Sequence, residues 1–186
     1  PITYKLTSEL NGGTIGTVPP PSATYDAYFM VAEPTRVGYT FTGWYVGGMD
    51  STTHYFGSST NSNTYAINVY DSSFKNLTSV NGATISFIAG WEPNTYNITY
   101  DYAGGYLDGT NPSYAIEYDA TVYITSPTRT GYNFIGWYIE GMASGVTHYY
   151  SEASTLTNYI TNDDARFMFS TTSKNTTYKN LHDSNG

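Results

Sequence analysis

A mainly β fold is what this sequence predicts, with a small α+β form as the alternative. Three observations predict it. The first is composition: 21 Tyr, 8 Phe and 3 Trp stand among many Thr, Val and Ile, residues that suit a pleated, half-buried surface. Ala and Leu are scarce, so helices should be few and short. The second is patterning. Short runs of alternating apolar and polar residues are bounded by Gly, Pro and Asn, as strands bounded by turns are. The third is that one ordered set of these runs occurs twice.

The repeat is read from matched phrases. Gly38-Tyr39-Thr40-Phe41-Thr42-Gly43-Trp44-Tyr45 returns as Gly131-Tyr132-Asn133-Phe134-Ile135-Gly136-Trp137-Tyr138, an offset of 93 positions. Pro34-Thr35-Arg36 matches Pro127-Thr128-Arg129, and Gly48-Met49 matches Gly141-Met142, at the same offset. Ile2-Thr3-Tyr4 returns as Ile98-Thr99-Tyr100, Thr53-His54-Tyr55 as Thr147-His148-Tyr149, and Lys75-Asn76-Leu77 as Lys179-Asn180-Leu181. Order is kept and the spacing drifts only where loops are expected, so a duplicated module is the reading. Module one is placed at residues 1–92 and module two at 97–186. Residues 93–96, Pro-Asn-Thr-Tyr, form a short joint that should keep the modules in file.

The elements follow in order. Residues 2–6 read as a first strand. Asn11-Gly12-Gly13 marks a turn, echoed by Gly104-Gly105, and a loop carries Pro19-Pro20-Pro21. Residues 25–31, matched by 116–124, read as a second strand. Residues 38–46, matched by 131–139, read as a third. Within residues 48–82 the pattern gives a polar loop, a strand at 65–70 and one helical turn at 72–77. Its counterpart, 141–186, is longer, with the extra residues around 162–173 expected as a loop or hairpin. Residues 83–91 alternate as a closing strand. Module two reaches Asn185-Gly186 where that strand should begin, so an exposed strand gap is expected in it.

The recurring motif has a structural logic. Pro34 ends the preceding strand. Gly38 permits a positive φ before the next. Tyr39, Phe41 and Trp44 then feed a core, and Gly43 inside the strand signals a bulge or a close backbone approach. Trp44 and Trp137 are both expected to be buried.

These residues resemble the Listeria–Bacteroides repeat family, the internalin-type B repeat. The resemblance rests on Asn11-Gly12-Gly13, on the motif from Pro34 to Tyr45 and on the closing run 83–91. In the second copy it rests on Gly104-Gly105 and the motif from Pro127 to Tyr138. It implies two tandem β-grasp-like modules, the second without its closing strand, in a protein of the bacterial surface. It brings no catalytic residues with it.

Composition narrows the function classes. The net charge is −8, and seven Lys and Arg are spread along the chain, which disfavours a phosphate backbone as partner. No apolar run approaches the roughly 18 residues of a membrane helix. There is no cysteine, so disulfides and thiolate metal sites are excluded, while export is not.

Candidate chemistry is sparse. His54 and His148 could be ligands or bases, but no partner stands at ligand spacing, so packing against Tyr55 and Tyr149 is the favoured reading. His182 is expected to be exposed. Asp163, Asp164 and Glu152 read as solvated loop carboxylates; a Ca²⁺ site is conceivable without a matching loop, and no cofactor is expected. Lys5 lies where some surface stalks form isopeptide bonds, yet its counterpart is Asp101. Asn76, Asn97 and Asn175 open Asn-x-Thr sequons. Exposed tyrosines suit binding, since their rings offer area at small entropic cost. Tyr55, Tyr106, Tyr149 and Tyr150 are the ligand-contact candidates.

The expectation is a non-enzymatic extracellular repeat segment, on the cell surface or anchored to the cell wall, that serves as a stalk or spacer with weak adhesive contacts. Its partners would be neighbouring repeats and host or cell-wall glycans, with no nucleic acid and no membrane insertion. A carbohydrate- or glycoprotein-binding module is the alternative, and a hydrolase with paired carboxylates the third reading.

Overall fold

The computed structural model describes residues 1–109, 115–140, 147–151, 158–161, 166–169 and 175–179, with side chains as far as Ile139 apart from Tyr138. The chain divides into two compact units, Pro1–Glu92 and Pro93–Gly186. Among the described residues all regular structure is β and no helix forms, so the α+β alternative is not realised there.

The first unit holds β1 (Thr3–Glu9), β2 (Ser22–Thr24), β3 (Phe29–Met30), β4 (Tyr39–Gly47), β5 (His54–Phe56), β6 (Ser59–Asn61), β7 (Tyr65–Val69), β8 (Ser73–Lys75) and β9 (Thr84–Pro93). Five strands make one sheet in the order β2-β1-β9-β4-β7. Its central pair, β1 and β9, is parallel, from Lys5 opposite Thr84 to Glu9 opposite Ile88. Parallel neighbours need a long crossover, and here nearly the whole unit lies between them. The other sheet is antiparallel, in the order β3-β8-β5-β6.

The two sheets are joined by an aromatic core. Alternation sends Tyr4 and Leu6 of β1 inward, with Ile85, Phe87 and Ala89 of β9. Phe29, Phe56 and Phe74 enter from the smaller sheet. The rings of Phe74 and Phe87 meet edge to face with centroids 4.9 Å apart, and Trp44 meets Phe87 at 5.9 Å. Such pairs add about 0.5–1.5 kcal/mol beyond area burial. Trp44 is 1% exposed, as expected from the motif.

Two expectations for this unit are corrected. Residues 25–31 are not one strand: Asp26 takes φ 64 and turns the chain between β2 and β3. Residues 72–77 are not helical. They hold β8, and the chain turns away from it at Asn76, φ 58. The glycine readings hold. Gly38 sits at φ 76. Gly43 sits at φ 97, and a Cβ there would lie 2.6 Å from the Asn68 backbone. The β4–β7 register shifts between Trp44 and Val46, which is the bulge.

The second unit holds β10 (Thr95–Tyr96), β11 (Ile116–Glu117), β12 (Thr121–Thr125), β13 (Trp137–Glu140), β14 (Thr147–Ser151), β15 (Asn158–Thr161), β16 (Arg166–Phe169) and β17 (Asn175–Lys179). The sheets are β12-β17-β14-β15, β13-β16 and β10-β11. Thr95 and Tyr96, read as joint residues, pair with Glu117 and Ile116. Residues 116–124 are broken as their counterparts are, at Asp119 with φ 67. β16 falls within the added residues 162–173 and pairs with β13.

Local detail is shared between the units. Gly13 N–H donates to Leu10 O at 2.9 Å, and Gly105 N–H to Tyr102 O at 2.9 Å. Thr14 bridges Thr35 as Tyr106 bridges Thr128. The Arg36 guanidinium stands 3.7 Å over the Tyr39 ring, and that of Arg129 stands 4.0 Å over Tyr132. Phe41–Trp44 and Phe134–Trp137 both meet at 5.4 Å.

The ladders are not shared. Residues 97–102 and 133–136, the counterparts of β1 and of the first half of β4, form no strand. In the first unit β9 lies between those two elements. Trp137 is half-buried rather than buried, which corrects the expectation for it, and its Nε1–H is shut from solvent without an acceptor among the described residues. The expected strand gap after Asn185-Gly186 lies outside the described residues.

Candidate functional site

A polar cluster links β5 of the first unit's smaller sheet to the loops after β4 and β8. Asp50 follows β4, and its carboxylate gathers donors from two loops. Oδ2 accepts from Ser79 N–H and Ser79 Oγ–H, both at 2.6 Å, and from Thr78 Oγ1–H at 3.4 Å. Oδ1 accepts from Thr52 N–H at 3.0 Å and from the Thr52 hydroxyl. Burial pushes this carboxyl upward, but the hydrogen bonds from Ser79 and Thr52 outweigh it and hold Asp50 well below the usual carboxylate range.

His54 is 0% exposed. Its Nδ1 lies 2.7 Å from Asn76 O and its Nε2 2.8 Å from Asp50 O. Both partners are backbone carbonyl oxygens, one from each of two loops. Asn76, also buried, ties in the β2–β3 turn: its Oδ1 accepts from Asp26 N–H at 2.6 Å and its amide donates to Asp26 Oδ1 at 3.0 Å. Thus His54 is not the loop residue packed on Tyr55 that the sequence suggests. It pins residues 76–80, between β8 and β9, to Asp50. Both carboxylate oxygens of Asp50 and both ring nitrogens of His54 are engaged in these contacts. Among the described residues no group of three or more His, Asp or Glu is placed to hold a metal ion.

The tyrosine candidates fall at different places. Tyr55, on β5, is half-buried, and the Lys75 ammonium lies 5.2 Å from its ring and 5.3 Å from that of Tyr28. Tyr106 is 61% exposed beside the bridge to Thr128. Tyr149 and Tyr150 lie on β14, opposite Tyr159 and Asn158, and their side chains are outside the described residues. So are Glu152, Asp163, Asp164 and His182.

Sequence reading missed a more organised surface. Tyr45 of β4 and Tyr65 of β7 point away from the core, with ring centroids 6.2 Å apart and planes 20° apart. A Cβ on Gly47 would lie 2.8 Å from the Tyr45 ring, so the bare glycine gives that ring its room. Beside them an open groove of about 640 Å³ is lined by Asn61, Asn63, Thr64, Tyr65 and Ile67. Alternation places Tyr45 opposite in sense to the inward Trp44 and Val46. That signal was legible; the pairing with Tyr65 was not.

Two tandem, aromatic-cored β modules thus define the class: a tandem-repeat β protein. Residues 4–70 and 96–165 both match the model of the Listeria-Bacteroides repeat domain, and the chain belongs to that family. Repeats of this kind occur in surface and extracellular proteins of bacteria. No solved structure matches the chain. No helix is long and apolar enough to cross a membrane among the described residues.

Proposed function

We propose that this chain is a non-enzymatic segment of an extracellular bacterial surface protein, a two-module spacer that holds other domains away from the cell wall. The observation that carries the reading is where the chemistry-bearing residues go in the first unit. Trp44, Phe74 and Phe87 are consumed in the interior. His54, Asn76 and Asp50 are consumed in locking loops. What is used twice is a structural kit: the turn, the Arg-on-Tyr stack and the Phe–Trp pair. Modules in series also multiply weak surface contacts, since each further contact becomes intramolecular.

Two measurements test this. Proteinase K added to intact producing cells should degrade the segment without lysis; protection until lysis would place it inside and end the reading. Replacing residues 1–186 by two unrelated β modules of similar length should preserve the adhesion or display function of the protein that carries it. Loss of function with a length-matched replacement would show that the segment does more than space.

A further inference from the structure

The first and last strands of the first unit lie side by side. β1 and β9 run parallel, and their register holds from Lys5 opposite Thr84 to Glu9 opposite Ile88. Parallel partners both start at one end of their ladder and both finish at the other. Force arriving from the N-terminal side enters at Thr3, where β1 starts. Force arriving from the second unit enters at Pro93, where β9 finishes. These points lie at opposite ends of one ladder. A pull along the chain therefore slides β1 against β9 instead of peeling one from the other.

Sliding and peeling differ in how the hydrogen bonds share the pull. Peeling breaks them singly from one end, and a single bond is weak in net terms. Sliding strains all of them together, so none gives way before the rest. Forced unfolding is governed by the height of that barrier, not by equilibrium stability.

The pair is also tied beyond its ladder. At the starting end, Gly82 N–H donates to Thr3 O at 2.7 Å and Thr3 N–H donates to Asn81 Oδ1 at 3.0 Å. At the finishing end, the Asn11 side-chain amide donates to Ala89 O at 2.8 Å, and Trp91 Nε1–H donates to Leu10 O at 2.9 Å. Neither strand is an edge: β2 flanks β1 and β4 flanks β9. Their inward side chains, among them Tyr4, Ile85 and Phe87, are buried. Shielded in this way, the ladder bonds act at low local dielectric, where they are strongest.

We propose that the first unit is a tension clamp: the parallel β1–β9 pair, tied at both ends, keeps the unit folded when the chain is stretched. The clamp does not rest on the spacer reading, because it concerns the response of the unit to force and not where the protein resides or what it holds.

Single-molecule stretching of the whole chain tests it. The chain has no cysteine, so introduced cysteines give unique attachment points. Pro1→Cys with Glu92→Cys loads β1 and β9 from opposite ends. Glu9→Cys with Glu92→Cys loads them from the same end. All three positions are exposed, and the second unit stays out of the line of pull in both arrangements. At equal pulling speed the first arrangement should need several times the force of the second. Within the first arrangement, Asn11→Ala and Trp91→Phe each remove a tie and should lower the rupture force. Val69→Ala, at a buried position of β7 on the far edge of the sheet, should lower stability to urea yet leave the rupture force unchanged. Circular dichroism checks that each variant is folded. The proposal is overturned if the two arrangements rupture at equal force, or if Val69→Ala lowers the rupture force as much as the tie variants do.

Discussion

The two units repeat the same motif, yet among the described residues only the first closes it into a continuous sheet. Up to the motif they agree closely: a left-handed Asp after Tyr, a Gly N–H closing the first turn, Arg stacked on Tyr and Phe edge-on to Trp. Beyond it they part. In the first unit Trp44 is sealed by Phe87 of β9, and Phe41 also meets Trp91, 5.5 Å away. In the second, Trp137 is met instead by Tyr100 and Tyr102, at 5.8 and 6.1 Å, and stays partly exposed. The difference teaches that the motif carries its own local geometry, while burial of its tryptophan depends on a strand from far along the chain.

Breaking the tryptophans should sharpen this contrast most. Trp44→Ala removes a fully buried ring and should cost about 3–5 kcal/mol. Trp137→Ala removes a partly exposed one and should cost less. Urea denaturation followed by circular dichroism measures both; equal losses would contradict the difference in packing.

Gly43→Ala should come next. It forces a Cβ into the Asn68 backbone at positive φ, for about 2–3 kcal/mol. A neutral result would mean that the bulge is not needed to seat Trp44.

Asp50→Asn should cost about 1–3 kcal/mol at pH 7, because an amide cannot accept from all the donors that the carboxylate serves. The pH dependence has a definite sign. Asp50 is held below its unfolded value, so its stabilisation is complete above the ordinary carboxylate pKa of about 3.9 and is lost as pH falls. The gap between wild type and variant should therefore narrow below about pH 4. A gap that widens in acid would remove the hydrogen-bonded carboxylate from the account.

The smallest effect is the shared one. Arg36→Ala and Arg129→Ala each break a surface stack worth about 0.5–1 kcal/mol. Arg129 also donates to Ala103 O at 2.8 Å, so its loss should be no smaller. Thermal shifts of the two variants compare the motif in its two settings.

Some of this molecule was readable before any coordinates. The duplicated motif, the strand positions at β1, β4, β7 and β9, the bulge at Gly43 and the burial of Trp44 follow from period-two alternation and from glycine placement. Both are local in sequence, and backbone sterics act locally. The tertiary structure alone decided that residues 48–82 supply three of the four strands of the second sheet. Short strands such as β5, β6 and β8 are three residues each, too brief for alternation to show. It also decided that His54 is a buried tie and that Tyr45 stands beside Tyr65. Each depends on partners far apart in sequence, and a carbonyl acceptor or a cross-strand ring leaves no mark on the residue it meets.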